Sequence, residues 1–159
     1  MTQDVPTRDA TRDPFDELLG YHLRRASMRV MADLAGTLAP YDLRPTDASV
    51  LFVIAGQPGV TQSQIGRALA IKRANMVPII AMLESRGIVE REPVDGRSQG
   101  LVLTPAGQAL HDRAIATVRD HEERTFGAID PAVRETLAAA MRVLWREEQC
   151  PLPSNSPST

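Results

Sequence analysis

Apolar residues recur every three or four positions through most of the chain, and they alternate strictly in one short region. The helical spacing predicts a first long helix that opens at Asp13-Pro14 and runs to about Ala39, then a shorter one over 46–56. Residues 88–94 and 101–104 alternate, and "DGRSQG" between them is turn chemistry. This pattern predicts a β-hairpin with a six-residue tip.

Capping residues mark the starts of three further helices. Thr61 is followed three residues later by Gln64, a capping box, and the helix that it opens is expected to end near Ala70. Thr104-Pro105 and Asp130-Pro131 pair a cap with proline at the first helical position, which predicts helices over about 105–127 and 131–148. Two helices followed by a hairpin predict a mainly α protein with a winged helix-turn-helix over 45–104.

The stretch "LAIKRANMVPIIAMLESRGIV" looks like one helix that closes on a glycine, yet it contains Pro78. Proline lacks the N–H that would bond to the carbonyl of Ala74. Two interpretations remain open. Either Asn75 caps the helix and Pro78 lies in its first turn, or the helix starts at Lys72 and kinks near Pro78.

Composition favours one aliphatic domain. The chain has 159 residues, of which 43% are hydrophobic, with only 3 Phe, 2 Tyr and 1 Trp. We expect a flexible N-terminal arm over 1–12, a single domain over 13–148 and a disordered Pro/Ser-rich tail over 149–159. Within the domain, we expect the dimerisation helices over residues 13–40 and 105–148.

Charge and targeting signals limit the possible functions and locations of the protein. The net charge of −2 excludes a polybasic chain, but residues 61–83 contain three cations and no acid, which indicates a local basic patch. The longest apolar run, 76–83, is too short to span a membrane. A polar N-terminus and the single Cys150 predict a cytoplasmic protein without disulfides.

The hairpin tip carries Asp95, Arg97 and Ser98. An arginine at a wing tip suits a narrow A·T-rich minor groove, and Asp95 could hold its guanidinium in a fixed position. The alternative is a solvated turn charge, since "DGR" is also ordinary turn chemistry.

Residues 61–107, and most specifically "LESRGIVEREPVDGRSQGLVLTPAG", resemble the MarR family of bacterial transcription regulators. The order of the flanking helices also matches. The resemblance implies a homodimer whose terminal helices interlock and whose two winged domains bind a pseudo-palindromic operator in double-stranded DNA. It further implies repression that is relieved when a small ligand binds.

Carried over residue by residue, the resemblance places the start of the recognition helix at Lys72, Arg73 and Asn75. Lysine and arginine can neutralise phosphates or bind guanine, and asparagine can pair with adenine. Thr61 and Gln62 are expected to face the DNA backbone. This chain departs from the family pattern because Lys72 replaces a Ser or Thr cap and the second turn is apolar.

Val77 and Pro78 are expected on the outward face of that helix. One hypothesis is contact with thymine methyl groups. The alternative is that they pack against the wing or are simply exposed.

A candidate effector site lies on the first helix, where His22, Arg25 and Arg29 share one stripe. An apolar cleft with cations at its edge suits a small anion such as an aromatic carboxylate or an acyl-coenzyme A. The alternative is that the arginines are solvated and that His22 lies at the edge of the core with its nitrogens satisfied.

Other functions find little support in the sequence. There is no phosphate-binding glycine loop and no nucleophile elbow, so we expect neither an enzyme nor a cofactor. We expect no metal site because the three histidines show no i, i+4 pairing, and "HEER" over 121–124 is interpreted as an exposed helix face.

Trp145 is expected to anchor the dimer interface. The alternative function is a winged helix that binds proteins and not DNA.

Overall fold

The computed structural model describes residues 14–95 and 98–145, without the side chains of Val94, Asp95 and Ser98. The chain forms two compact units that divide after Val118. The predicted mainly α architecture with a winged helix-turn-helix is confirmed. The helices and strands are α1 (Leu19–Leu38), a 3-10 turn (Ala39–Tyr41), α2 (Pro45–Gly56), α3 (Gln62–Ala68), α4 (Arg73–Ser85), β1 (Val89–Asp95), β2 (Ser98–Leu103), α5 (Pro105–Phe126) and α6 (Pro131–Trp145).

Helix α1 begins five residues later than the Asp13-Pro14 signal predicts. Residues 14–17 form a turn, in which the N–H of Leu18 donates to the carbonyl of Phe15 at 2.9 Å. Phe15 and Leu18 are 45% and 53% exposed, so the described residues bury neither of them well. A helical turn is marginal without packing, which explains the later start. Asp13 itself and the arm over 1–12 lie outside the described residues.

The capping box at the start of α3 is confirmed. The backbone N–H of Gln64 donates to Thr61 Oγ1 at 3.3 Å, and the N–H of Thr61 donates to Gln64 Oε1 at 2.8 Å. Helix α3 ends at Ala68, two residues before the predicted end. Ala70 there takes a left-handed conformation, which helical geometry excludes.

Helix α4 starts at Arg73 and includes Pro78 in its interior, so the Asn75 cap is wrong. The carbonyl of Lys72 accepts the first helical hydrogen bond, from the N–H of Met76 at 3.1 Å. The helix continues past the proline to Ser85 because its inner face is anchored in the core. The residues of that face are fully or almost fully buried: Met76, Ile79, Ile80 and Leu83.

The wing hairpin is confirmed, but its predicted six-residue tip is wrong. Asp95 pairs with Ser98 and Pro93 with Gln99, so the strands extend into the predicted loop. An irregularity between Pro93 and Asp95 adjusts the register and permits this extension. An isolated antiparallel β-bridge joins Val60 to Leu101 on β2, which the sequence pattern did not predict.

The end of α4, the start of the wing and the start of α5 meet at one junction. The hydroxyl of Thr104 donates to the carbonyl of Gly87 at 2.6 Å, and its backbone N–H donates to the carbonyl of Ile88 at 3.1 Å. The same hydroxyl accepts from the N–H of Gly107 at 3.0 Å. A Cβ on Gly107 would collide with the backbone carbonyl of Ile88. The glycine is therefore required by close backbone approach.

One hydrophobic core holds the first unit together. Helices α3 and α4 of the helix-turn-helix contribute some of its side chains, and α2 and the hairpin contribute many of the others. Its buried members are Leu38, Leu43, Ala48, Val50, Leu51, Ile54, Val60, Ile65, Met76, Ile79, Ile80, Leu83, Ile88, Val89, Leu101 and Ala114.

Helices α1 and α6 leave apolar side chains exposed in the described chain. Leu19 is 71% exposed on α1, and Val143, Leu144 and Trp145 are 54 to 63% exposed on α6. Asp130 caps α6 as predicted, since its Oδ1 accepts from the N–H of Ala132 at 2.9 Å. Residues 146–148 of the predicted helix and the tail over 149–159, including Cys150, lie outside the described residues.

The interpretation of 121–124 as an exposed face is wrong at its first residue. His121 is fully buried, whereas 122–124 are exposed. The three charged residues after His121 made the segment look exposed, because only one of its four positions faces the interior. Among the described residues, no group of His, Cys, Asp and Glu has metal-binding geometry, and no helix is long and apolar enough to cross a membrane.

Replacing Gly107 with alanine tests the junction. We expect Gly107→Ala to lower the free energy of unfolding by about 2–3 kcal/mol, because the new methyl group must displace backbone. Gly20→Ala is the matched control: nothing lies within 4 Å of its Cβ position on α1. The control should gain about 0.5–1 kcal/mol from helix propensity. Equal effects of the two substitutions in urea denaturation would contradict the close approach.

Candidate nucleic-acid interface

The turn between α3 and α4 fixes the two helices of the helix-turn-helix. The N–H of Ile71 donates to the carbonyl of Gly66 at 2.8 Å, and Ala70 has a φ of 51°. Buried Ile65 and Met76 anchor the two helices on the inner side. The polar side chains near the helix starts are therefore held on a rigid support.

The structure brings two of the predicted DNA-binding residues to one cleft between α3 and α4. Gln62 and Arg73 line it, together with Ser63, Arg67 and the apolar Ile71. The cleft has a volume of about 360 Å³. Arg67 and Ser63 are exposed residues that the sequence prediction of the site omitted. The acid-free segment around Arg67 was the signal that could have found it.

The start of α4 presents exposed polar groups. Lys72, Arg73 and Asn75 are all exposed, and no carboxylate occurs between residues 61 and 83 to neutralise the two cations locally. Thr61 is less available than expected: its hydroxyl donates to Gln64 Oε1 at 2.8 Å within the capping box. Because this hydroxyl is engaged, the backbone N–H groups at the start of α3 are more accessible hydrogen-bond donors than the Thr61 side chain.

The outward face beyond Asn75 is apolar. Val77 is 50% exposed and Pro78 is also exposed, so neither is packed away in the described chain. Because Pro78 has no N–H, the carbonyl of Ala74 lacks its usual helical donor. The structure thus leaves Val77 and Pro78 exposed and not packed against the wing, and their contact with thymine methyl groups stays a prediction.

An ion pair ties the wing to α4. Arg91 on β1 donates to both carboxylate oxygens of Glu84, at 2.6 and 3.3 Å. A bidentate pair of this kind fixes orientation as well as distance. The pair is a direct side-chain contact between β1 and the last turn of α4. Arg97 lies outside the described residues, and for Asp95 and Ser98 only the backbone is described, so their expected roles stay predictions.

A second contact holds the end of α4 against the corner before α2. Arg86 donates to the carbonyls of Tyr41 and Asp42 at 2.9 and 2.8 Å. The hydroxyl of Tyr41 lies 2.7 Å from Thr117 Oγ1 on α5. The corner therefore connects α4 with α5.

The buried carboxylate of Asp47 lies beside this corner. Burial raises the pKa of Asp47, but the hydrogen bonds and charge of Arg44, with a contribution from the charge of Arg86, hold the pKa below its ordinary value. The Arg44 guanidinium donates to both carboxylate oxygens at 2.9 Å. The carboxylate is therefore ionised at neutral pH, and its negative charge attracts the guanidinium of Arg86 at the end of α4.

The predicted effector residues lie on the exposed side of α1. His22 is exposed, not at the edge of the core, and its Nε2 donates to the carbonyl of Asp16 at 2.9 Å. Arg25 donates to the hydroxyl of Tyr21 at 3.1 Å. A cleft of about 450 Å³ includes Arg25 and Arg29 but not His22 in its lining. The structure thus groups the two arginines with an aromatic ring.

These elements define the class of the protein. A short helix, a tight turn, a second helix with an exposed basic start and an adjoining hairpin form a winged helix-turn-helix, a fold that binds DNA. The sequence pattern of the MarR family matches residues 41–98. The chain belongs to the MarR family of transcriptional regulators, as the resemblance implied.

Relatives named as transcriptional regulators match most of the chain. A transcriptional regulatory protein assigned to the hcr operon of Thauera aromatica is 33% identical over 135 residues, covering 82% of this chain and 80% of that protein. The repressor CouR bound to p-coumaroyl-CoA is 35% identical, with 87% of this chain and 99% of CouR covered and a TM-score of 0.75. CouR bound to a 23-mer DNA duplex has the same identity and coverage, with a TM-score of 0.78.

Ala70 provides a test of the turn geometry. A left-handed alanine costs about 1–2 kcal/mol, whereas glycine adopts this conformation without strain but loses about 0.5–1 kcal/mol in chain entropy. We therefore expect Ala70→Gly to stabilise the protein by about 0.5–1 kcal/mol. The control Ala81→Gly, at an exposed helical position, should destabilise it by about 1 kcal/mol. Thermal unfolding that shows the same loss for both would contradict the turn.

Proposed function

We propose that this protein is a homodimeric repressor that binds a pseudo-palindromic operator and is released by a small anionic effector. The observation that carries the proposal is the exposed basic surface formed by Arg67, Lys72 and Arg73 in a segment with no acid. Such a surface neutralises phosphates and positions α4 in the major groove. Binding of CouR to a DNA duplex supports the same use of the fold.

Dimerisation is part of the proposal because apolar side chains remain exposed at both ends of the described chain. Leu19 on α1 and Trp145 on α6 are more than 60% exposed. In the second unit, a groove of about 440 Å³ is lined by Phe126, Leu137 and Met141 among others. Apolar surface of this kind favours burial against another chain. A two-fold dimer presents two copies of α4, which matches a pseudo-palindromic site.

The effector site is proposed on α1. Arg25 and Arg29 line a cleft with Tyr21, and the Cζ of Arg25 lies 5.7 Å from the centre of that ring. Cations beside an aromatic ring suit a ligand that combines a planar ring with a negative charge. An aromatic carboxylate or an aromatic acyl-coenzyme A has this chemistry, and CouR binds p-coumaroyl-CoA. His22, on the same helix, is proposed to contact the ligand from the neighbouring turn.

Salt dependence separates this proposal from the alternative, a winged helix that binds only proteins. An operator is first selected from random duplexes, and its affinity is measured over a range of salt concentrations. We expect log Kobs to fall linearly with log salt, and Lys72→Ala and Arg73→Ala should each reduce the slope by about 1 if the cation binds one phosphate. Arg124→Ala, a cation exposed on α5, is the control and should leave the slope unchanged. Failure to enrich any site would support the alternative.

Effector release is tested on the operator complex by fluorescence anisotropy. Aromatic acids and their coenzyme A thioesters are titrated into the complex, and at least one should dissociate it. Arg25→Gln and Arg29→Gln should raise the required effector concentration about tenfold, the effect of losing a hydrogen bond to a charged group. Arg124→Gln should have no effect. Release that is insensitive to both α1 substitutions would place the effector elsewhere.

A further inference from the structure

Between Asn75 and the last residue of α4, Ser85, the exposed face of the helix carries no side chain that could read a base by hydrogen bonding. Its exposed positions are three or four residues apart and therefore form one stripe on the helix. We call this stripe the apolar reading face. It consists of Ala74, Val77, Pro78 and Ala81.

The apolar reading face is available for contact in the described structure. Val77 is 50% exposed, and Pro78 is exposed beside it. The hairpin does not cover the stripe, because the wing is held to α4 through Glu84, one turn beyond Ala81. The exposed valine and proline therefore offer an apolar contact surface on the helix that enters the major groove in this fold.

The charges around the stripe identify that partner. Arg67, Lys72 and Arg73 lie at the N-terminal end of the interface, and no acid lies between residues 61 and 83. Cations beside an apolar strip match the DNA major groove, where phosphates border the groove and thymine methyl groups lie on its floor. An apolar peptide partner would not require the cations.

Thymine is the base that offers an apolar group in the major groove, through its 5-methyl carbon. The two methyl groups of Val77 and the ring methylenes of Pro78 can contact such a group, and alanine on either side permits close approach. We propose that α4 recognises thymine 5-methyl groups through Val77 and Pro78, so that operator affinity depends on those methyl groups. This inference rests on the proposed function.

Deoxyuridine substitution tests the proposal directly, because uracil pairs as thymine does and lacks only the methyl group. Each thymine of the selected operator is replaced in turn, and the affinity of the full-length protein is measured. At one or two positions in each half-site we expect affinity to fall about fourfold per methyl group, the value of one buried apolar carbon. The salt dependence should stay unchanged, since the substitution leaves every phosphate in place.

Protein variants assign the effect to these residues. Val77→Ala should bring the ratio of thymine to uracil affinity close to one at the sensitive position, and Val77→Thr should reduce it in part. Val133→Ala is the matched control, because Val133 is a helical valine that is 49% exposed on α6. Its ratio should equal that of the unmodified protein, even if its absolute affinity changes.

The outcomes separate the inference from the proposed function. If the protein binds its operator with steep salt dependence but no thymine is sensitive to removal of its methyl group, the inference is overturned and the proposed function stands. A sensitivity that Val77→Ala and Pro78→Ala both leave intact would also overturn it. If no duplex is bound specifically, the proposed function and the inference fail together.

Discussion

The hydroxyl of Thr104 donates to the carbonyl of Gly87 and its backbone N–H donates to the carbonyl of Ile88, and the arrangement of α4, the wing and α5 depends on this junction. Gly87 ends α4 in a left-handed conformation, Ile88 begins the wing, and Gly107 brings the first turn of α5 against the Ile88 carbonyl. Three elements thus meet through hydrogen bonds of Thr104 to two backbone carbonyls and through the close approach of Gly107 to one of them. The position of the recognition helix relative to the wing and the start of α5 follows from it.

Two further contacts complete the support of α4. Arg91 on β1 forms an ion pair with Glu84 on α4. Arg86, at the end of α4, donates to the carbonyl of Tyr41, and the hydroxyl of Tyr41 contacts α5. Pro78 lies between this supported half of the helix and the exposed start. The proline removes one helical hydrogen bond, and the buried inner face compensates for it. The helix therefore combines a C-terminal half held by contacts on several sides with an outward surface that is exposed.

Local signals in the sequence predicted most of the fold. The capping groups of Thr61, Thr104 and Asp130 act within three residues, so the sequence contains both partners of each interaction. Contacts between distant segments could not be predicted in the same way. The bridge from Val60 to Leu101 and the contact of Arg86 with the Tyr41 corner exist only after folding. For the site, the basic segment with Arg67, Lys72 and Arg73 was predictable, whereas the cleft that Arg67 and Arg73 line together depends on how α3 and α4 pack.

The central claim is that two copies of α4 enter successive major grooves on one face of the operator. Hydroxyl-radical and dimethyl sulfate footprinting of the selected operator tests it most directly. We expect two symmetric protected segments whose centres lie about 10–10.5 base pairs apart, one helical turn. A single protected segment, or two whose spacing places them on opposite faces of the duplex, would contradict it.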